Sequence, residues 1–123
     1  MKIMIIDNNE MSSEFIKAYM NDNDVSIVTV TSPFEALDLM KKEKFDIIIM
    51  EMIMDKMNSI ELFDRLKKID SNTKVIVLSK IWDYGFEKLA SIKGFYGYYT
   101  RSSFTSIKKD ILQLKNTISI NSF

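Results

Sequence analysis

This chain of 123 residues contains no cysteine and no histidine. Without cysteine there can be no disulfide framework, no thiolate metal site and no thiol nucleophile. Without histidine the commonest zinc ligand, the commonest general base and every Ser-His or Cys-His pair are excluded. One proline and three glycines argue against a loop-rich fold. No apolar run approaches the roughly 20 residues that span a bilayer. The apolar start, Ile3 to Ile6, is too short for a signal segment and is stopped by Asp7. A soluble, cytoplasmic protein is therefore expected, with no membrane partner. What remains is chemistry run by carboxylates, hydroxyls, Lys and Arg, or none.

Net charge is also missing: 17 Lys/Arg balance 17 Asp/Glu. The balance is uneven along the chain. Residues 1–64 hold 6 basic and 13 acidic residues, whereas residues 65–123 hold 11 and 4. Two solvated faces that cancel account for this, and so does a dipolar domain whose basic side meets an acidic partner. No basic run marks a nucleic-acid surface. With 46% hydrophobic and 28% charged residues the composition is globular. A domain of this length can bury roughly two-thirds of its unfolded surface, and residues 1–123 read as one domain without linker or repeat.

Five short apolar runs recur, at Lys2–Ile6, Val25–Val30, Asp46–Met50, Lys74–Leu78 and Phe95–Tyr99. Runs such as Ile47 to Met50 and Val75 to Leu78 are continuous, the pattern of strands buried on both faces of a parallel sheet. Between them lie helical stripes: Phe34, Leu37, Leu39 and Met40; then Ile60, Leu62, Phe63, Leu66 and Ile69; then Ile107, Ile111, Leu114 and Ile118. Ser32-Pro33-Phe34-Glu35 reads as a capping box with Pro at the first helical position, and Asn58 with Glu61 repeats the box. Asp22, Asn23, Asp24 and Gly94 punctuate helix-to-strand turns. The alternation predicts an α/β fold, a doubly wound five-stranded parallel sheet with helices on both faces.

Ligands of such sheets sit outside the carboxyl ends of the strands. The residues there are Asp7, Asn8 and Asn9; Glu51; Ser79 and Lys80; and Thr100, Arg101 and Ser102. Asp7, Asn8 and Glu51 would make an oxygen-rich pocket of the kind Mg²⁺ prefers. Ser79 adds a hydroxyl and Arg101 a fixed cation. Glu51 closes an apolar run, a costly place for a carboxylate unless it is paired or solvated in a cleft.

On these residues the whole chain resembles the response regulator receiver domain of two-component signalling, the CheY-like phosphoacceptor module. Asp7-Asn8 falls at the family's acidic pair, with the second acid amidated. Glu51-Met52-Ile53-Met54-Asp55-Lys56-Met57-Asn58-Ser59 matches the acceptor stretch in register, with Glu where the family has its phosphoacceptor Asp. Ser79 matches the switch Thr or Ser, Tyr98 the switch aromatic, and Arg101-Ser102 the Lys-Pro pair. The resemblance implies a (βα)5, flavodoxin/CheY-like three-layer α/β/α sandwich with strand order 2-1-3-4-5. It also implies a metal site on Asp7, Asn8, Glu51 and Ile53, here expected to be weak or absent, so that the cofactor is none or a loosely held Mg²⁺.

Glu is one methylene longer than Asp, so its carboxylate projects about 1.5 Å further, roughly one carbon–carbon bond. An Arg fork can grip such a carboxylate where Lys would be a point charge. The expectation is a standing network of Glu51, Arg101 and Ser79, a trans peptide before Ser102, and a pseudo-receiver that signals through protein contacts without phosphorylation and without enzymatic turnover. The alternatives are an active receiver that takes a phosphoryl group on Glu51 or Asp55 with Mg²⁺, and a flavodoxin-like binding protein. The last is disfavoured because Asn8-Asn9-Glu10 lacks the Gly and hydroxyl residues of a phosphate nest.

Half of the aromatic residues fall within residues 82–99. In the family, the face of the fourth helix, fifth strand and fifth helix is the usual dimer and output surface. A homodimer through it is expected, with a histidine kinase or another signalling protein as further partner. DNA would be met only through an output domain that these residues do not include. The methionines Met50, Met52, Met54 and Met57 read as adaptable packing.

Overall fold

A computed structural model describes residues 1–7, 14, 16–18, 24–100 and 104–121. The strands are β1 (Lys2–Ile6), β2 (Ser26–Val30), β3 (Ile47–Glu51), β4 (Lys74–Ser79) and β5 (Gly97–Thr100). The helices are α1 (residues 14 and 16–18), α2 (Pro33–Lys42), α3 (Ser59–Ile69), α4 (Tyr84–Lys93) and α5 (Phe104–Asn121). All strand pairs are parallel, in the order β2-β1-β3-β4-β5. This is the expected CheY-like α/β fold.

The continuous apolar runs are explained by burial on both faces. Side chains alternate across a strand, so Met4, Ile6, Ile48, Met50, Val75 and Val77 enter one core with α2 and α3. Their neighbours Ile3, Ile5, Ile47, Ile49, Ile76 and Leu78 enter the other, with Ile16, Ile107, Ile111 and Leu114. Ile118 lies outside the described side chains.

Both proposed caps form, with a variation. Asn58 Oδ1 accepts the Glu61 N–H at 2.8 Å, while the Glu61 carboxylate pairs forward with Arg65 at 2.9 Å. Ser32 Oγ accepts the Phe34 N–H, and Glu35 reaches back to the N–H of Thr31, one residue before the cap. Phe34, assigned to the apolar stripe, is half exposed; Ala36 takes the buried place with Leu37 and Met40.

Strand ends differ from the sequence reading in one direction. Glu51, Ser79 and Thr100 belong to their strands instead of following them. The last strand begins at Gly97, not Phe95. Gly94, at φ 98°, caps α4 in the left-handed region, and the N–H groups of Gly94 and Phe95 both return to the Ala90 carbonyl. Phe95 is thereby turned to stack on Phe63, with ring centroids 4.1 Å apart. The sheet is joined one residue later, when Tyr96 donates its N–H to Val75.

Tyr99 folds back over Gly97 and donates its hydroxyl to Asp110 of α5. Burial, and then that hydrogen bond, push the Tyr99 pKa above its ordinary value. A Cβ at position 97 would collide with the Tyr99 ring. Gly97→Ala should therefore displace the ring, break the β5–α5 tie and lower stability by about 1–3 kcal/mol, read as a lower urea midpoint with an unchanged m-value.

Candidate functional site

The sheet register gathers the expected residues at one edge. Ile6 pairs with Met50, so Asp7 and Glu51 are the next residues along neighbouring strands. Glu51 pairs with Leu78, and Ser79 pairs with Thr100. Asp7 is 4% exposed, and its N–H donates to Val30, tying the end of β1 to β2. Asp7 also lines a cleft of about 240 Å³ with Thr31, Pro33, Met54, Asp55 and Lys56. Glu51 is half-buried. Asn8, Arg101 and Ser102 lie outside the described residues. So do the Arg101 arm of the expected network and the peptide before Ser102.

The segment after Glu51 is held by its methionines. Met50 and Met57 are buried, and Met52 and Met54 pack partly buried against the same core. Ile53, Asp55 and Lys56 face outward between them. This is the adaptable packing expected of a thioether chain. Lys56 lies at φ 73°, in the left-handed region that disfavours a Cβ. Among the described residues no group of three or more His, Cys, Asp or Glu could hold a metal ion. Of the residues expected to hold Mg²⁺, Asp7, Glu51 and Ile53 are among those described. That set is compatible with an octahedral ion only if water supplies most of its shell.

Ser79 and Tyr98, far apart in sequence, meet at one residue. Ser79 is 3% exposed, and its Oγ accepts the N–H of Ile81 at 3.3 Å. The Tyr98 hydroxyl reaches the carbonyl of the same Ile81 at 3.2 Å and accepts the Asp83 N–H at 3.0 Å. Its third neighbour is Met52 Sδ at 3.6 Å. The hydroxyl has one proton for two acceptors, the Ile81 carbonyl and the sulfur. Trp82 covers the Tyr98 ring, with centroids 4.5 Å apart, and Phe86 meets it edge-on at 5.2 Å. Asp83 then caps α4 by accepting the Phe86 N–H.

Met52, Ile81 and Asp83 were not singled out from the sequence as parts of the site. Asp83 carried a readable signal, an Asp three residues ahead of Phe86 at a helix start. Met52 and Ile81 carried none, because their roles depend on backbone atoms and on a sulfur that only the fold brings near Tyr98.

Relief of the left-handed strain gives a direct check on the loop after β3. Lys56→Gly should raise stability by about 0.5–1 kcal/mol, the αL penalty less the entropy of glycine. Lys56→Val should lower it, with both read from thermal midpoints.

Comparison with known proteins agrees with this geometry. Residues 3–98 match the model of the response regulator receiver domain family. The probable transcriptional regulator ycf29 of Porphyra purpurea is 32% identical over 103 residues, covering 80% of this chain and 48% of that protein. The same regulator of Pyropia yezoensis is 31% identical, with 81% and 46% covered. The chain thus spans about half the length of these relatives. Among solved structures, the receiver domain of the Francisella response regulator 1452 superposes with a TM-score of 0.83 at 25% identity, covering 94% of this chain and 98% of that one. A signal receiver domain from Vibrio parahaemolyticus superposes at 0.88 and 15% identity, covering 98% and 94%, a likeness of fold alone. With the sheet order and the family match in agreement, the chain belongs to the response regulator receiver domain family of two-component signalling.

Proposed function

We propose that this receiver domain acts as a pseudo-receiver, signalling through protein contacts without being phosphorylated. One observation carries the reading: the Ser79 oxygen accepts the Ile81 N–H, and the Tyr98 hydroxyl reaches the carbonyl of the same residue. Contacts within the chain itself thus hold the segment leading into α4. Glu51 in the acceptor place supports the same reading. In-line transfer depends on positioning and charge stabilisation, and moving the nucleophile by about a bond length costs on the order of 10²-fold. In this reading Glu51 and Arg101 supply a permanent ion pair beside Ser79, Mg²⁺ is bound weakly or not at all, and the domain works in the cytoplasm with a histidine kinase or another signalling protein.

The test is intact mass after incubation with Mg²⁺ and acetyl phosphate, for the parent chain and for Glu51→Asp. The parent should stay unmodified and the variant should gain one phosphoryl group. A parent that gains the group on Glu51 or Asp55 supports the alternative, an active receiver.

The partner surface proposed is the α4–β5–α5 face, joining two copies of the chain. Tyr84 and Ile92 of α4 are 75% and 83% exposed, and Ile81, Trp82, Leu89 and Tyr96 around them are also exposed. Apolar and aromatic surface of this kind is favoured at the centre of interfaces. Sedimentation should give a concentration-dependent dimer, and Ile92→Glu should leave a folded monomer. An unchanged dimer in that variant would move the interface elsewhere.

A further inference from the structure

The contact between Met52 and Tyr98 has a chemistry that the receiver reading does not use. Met52 is half-buried, whereas Met4, Met40, Met50 and Met57 are each 5% exposed or less. Its sulfur is a weak acceptor, and it competes with the Ile81 carbonyl for the single Tyr98 proton. With a thioether as competitor, the carbonyl holds that proton at the shorter distance. We propose that Met52 is a site of reversible oxidation to the sulfoxide by a hydroperoxide, and that the sulfoxide takes the Tyr98 proton from Ile81 and loosens the segment leading into α4.

The step balances. A sulfur lone pair attacks one peroxide oxygen, the O–O bond breaks and an S–O bond forms. With hydrogen peroxide the second oxygen leaves as hydroxide and takes the proton of the sulfur-bound oxygen, giving water and the sulfoxide. Sulfur loses two electrons and the peroxide gains them. The product is a polar group with a strong acceptor oxygen, in place of a flexible apolar chain. That oxygen stands beside Tyr98, whose ring carries Trp82 on one side and Phe86 on another. Drawing the hydroxyl toward residue 52 withdraws the ring from Trp82 and leaves the Ile81 carbonyl unpaired. The polar sulfoxide also weakens the packing of residue 52 against the core below β3. The state of one sulfur beside Glu51 is thus conveyed to the exposed face of α4, whatever the chemistry of Glu51 itself.

Trp82 is the only tryptophan of the chain, so its emission reports this site. The full chain is treated with hydrogen peroxide, the sulfoxides are located by peptide mass, and the protein is then returned with methionine sulfoxide reductases. The expected result is a red shift of Trp82 emission that grows with the Met52 sulfoxide and reverses on reduction. The shift should be absent in Met52→Leu and retained in Met54→Leu. Tyr98→Phe keeps the ring but removes the proton, so its emission should not follow Met52 oxidation; this arm serves should Met52→Leu fail to fold. Met52 that stays reduced while the folded chain is exposed to peroxide would overturn the proposal. So would a sulfoxide at 52 with unchanged emission, or a shift that persists in Met52→Leu or Tyr98→Phe.

Discussion

Burial of the central strands on both faces is the constraint on which the rest of this domain depends. β1, β3 and β4 are covered by α2, α3 and α4 on one side and by α1 and α5 on the other. Their interiors can therefore carry only apolar side chains, because a buried charge without a partner is too costly. Polar chemistry is pushed to where the strands end. Parallel pairing then brings those ends to one edge, which is why Asp7, Glu51, Ser79 and Thr100 come together although they are scattered over the chain.

At that edge the backbone of Ile81 is the meeting point. Ser79 holds its N–H and Tyr98 its carbonyl, while Asp83 lends its own N–H to Tyr98 and its carboxylate to the start of α4. Each hydrogen bond of this type is worth only about 1 kcal/mol net. Their effect is positional: they hold the connection from β4 to α4, and through it the exposed aromatic and aliphatic surface of Trp82, Tyr84 and Ile92.

Helix starts were readable because capping is local. Asn58 and Ser32 accept N–H groups within three residues of themselves, so spacing alone locates them. Even there, the partner of Glu61 changed, since Arg65 one turn on competes for its carboxylate. The start of β5 was misplaced for a related reason. Phe95 has the β-propensity of a strand residue, but the left-handed Gly94 and the Ala90 carbonyl hold it in the helix terminus, where it packs on Phe63. Phe34 obeyed helical periodicity yet is half exposed, because Ala36 takes the buried position in the first turn.

The sequence by itself determined the five strands, the double-sided burial of the central ones, the caps of α2 and α3 and the identity of the residues at the strand ends. These follow from periodicity, apolar runs and short-range hydrogen bonding, all of which act within a few residues. Only the tertiary structure decided that Tyr98 reaches the residue Ser79 holds, that Met52 stands beside the Tyr98 hydroxyl, and that Tyr99 lies over Gly97 against Asp110. Those contacts join elements remote in the chain, and their geometry is set by how helices and loops pack on the finished sheet.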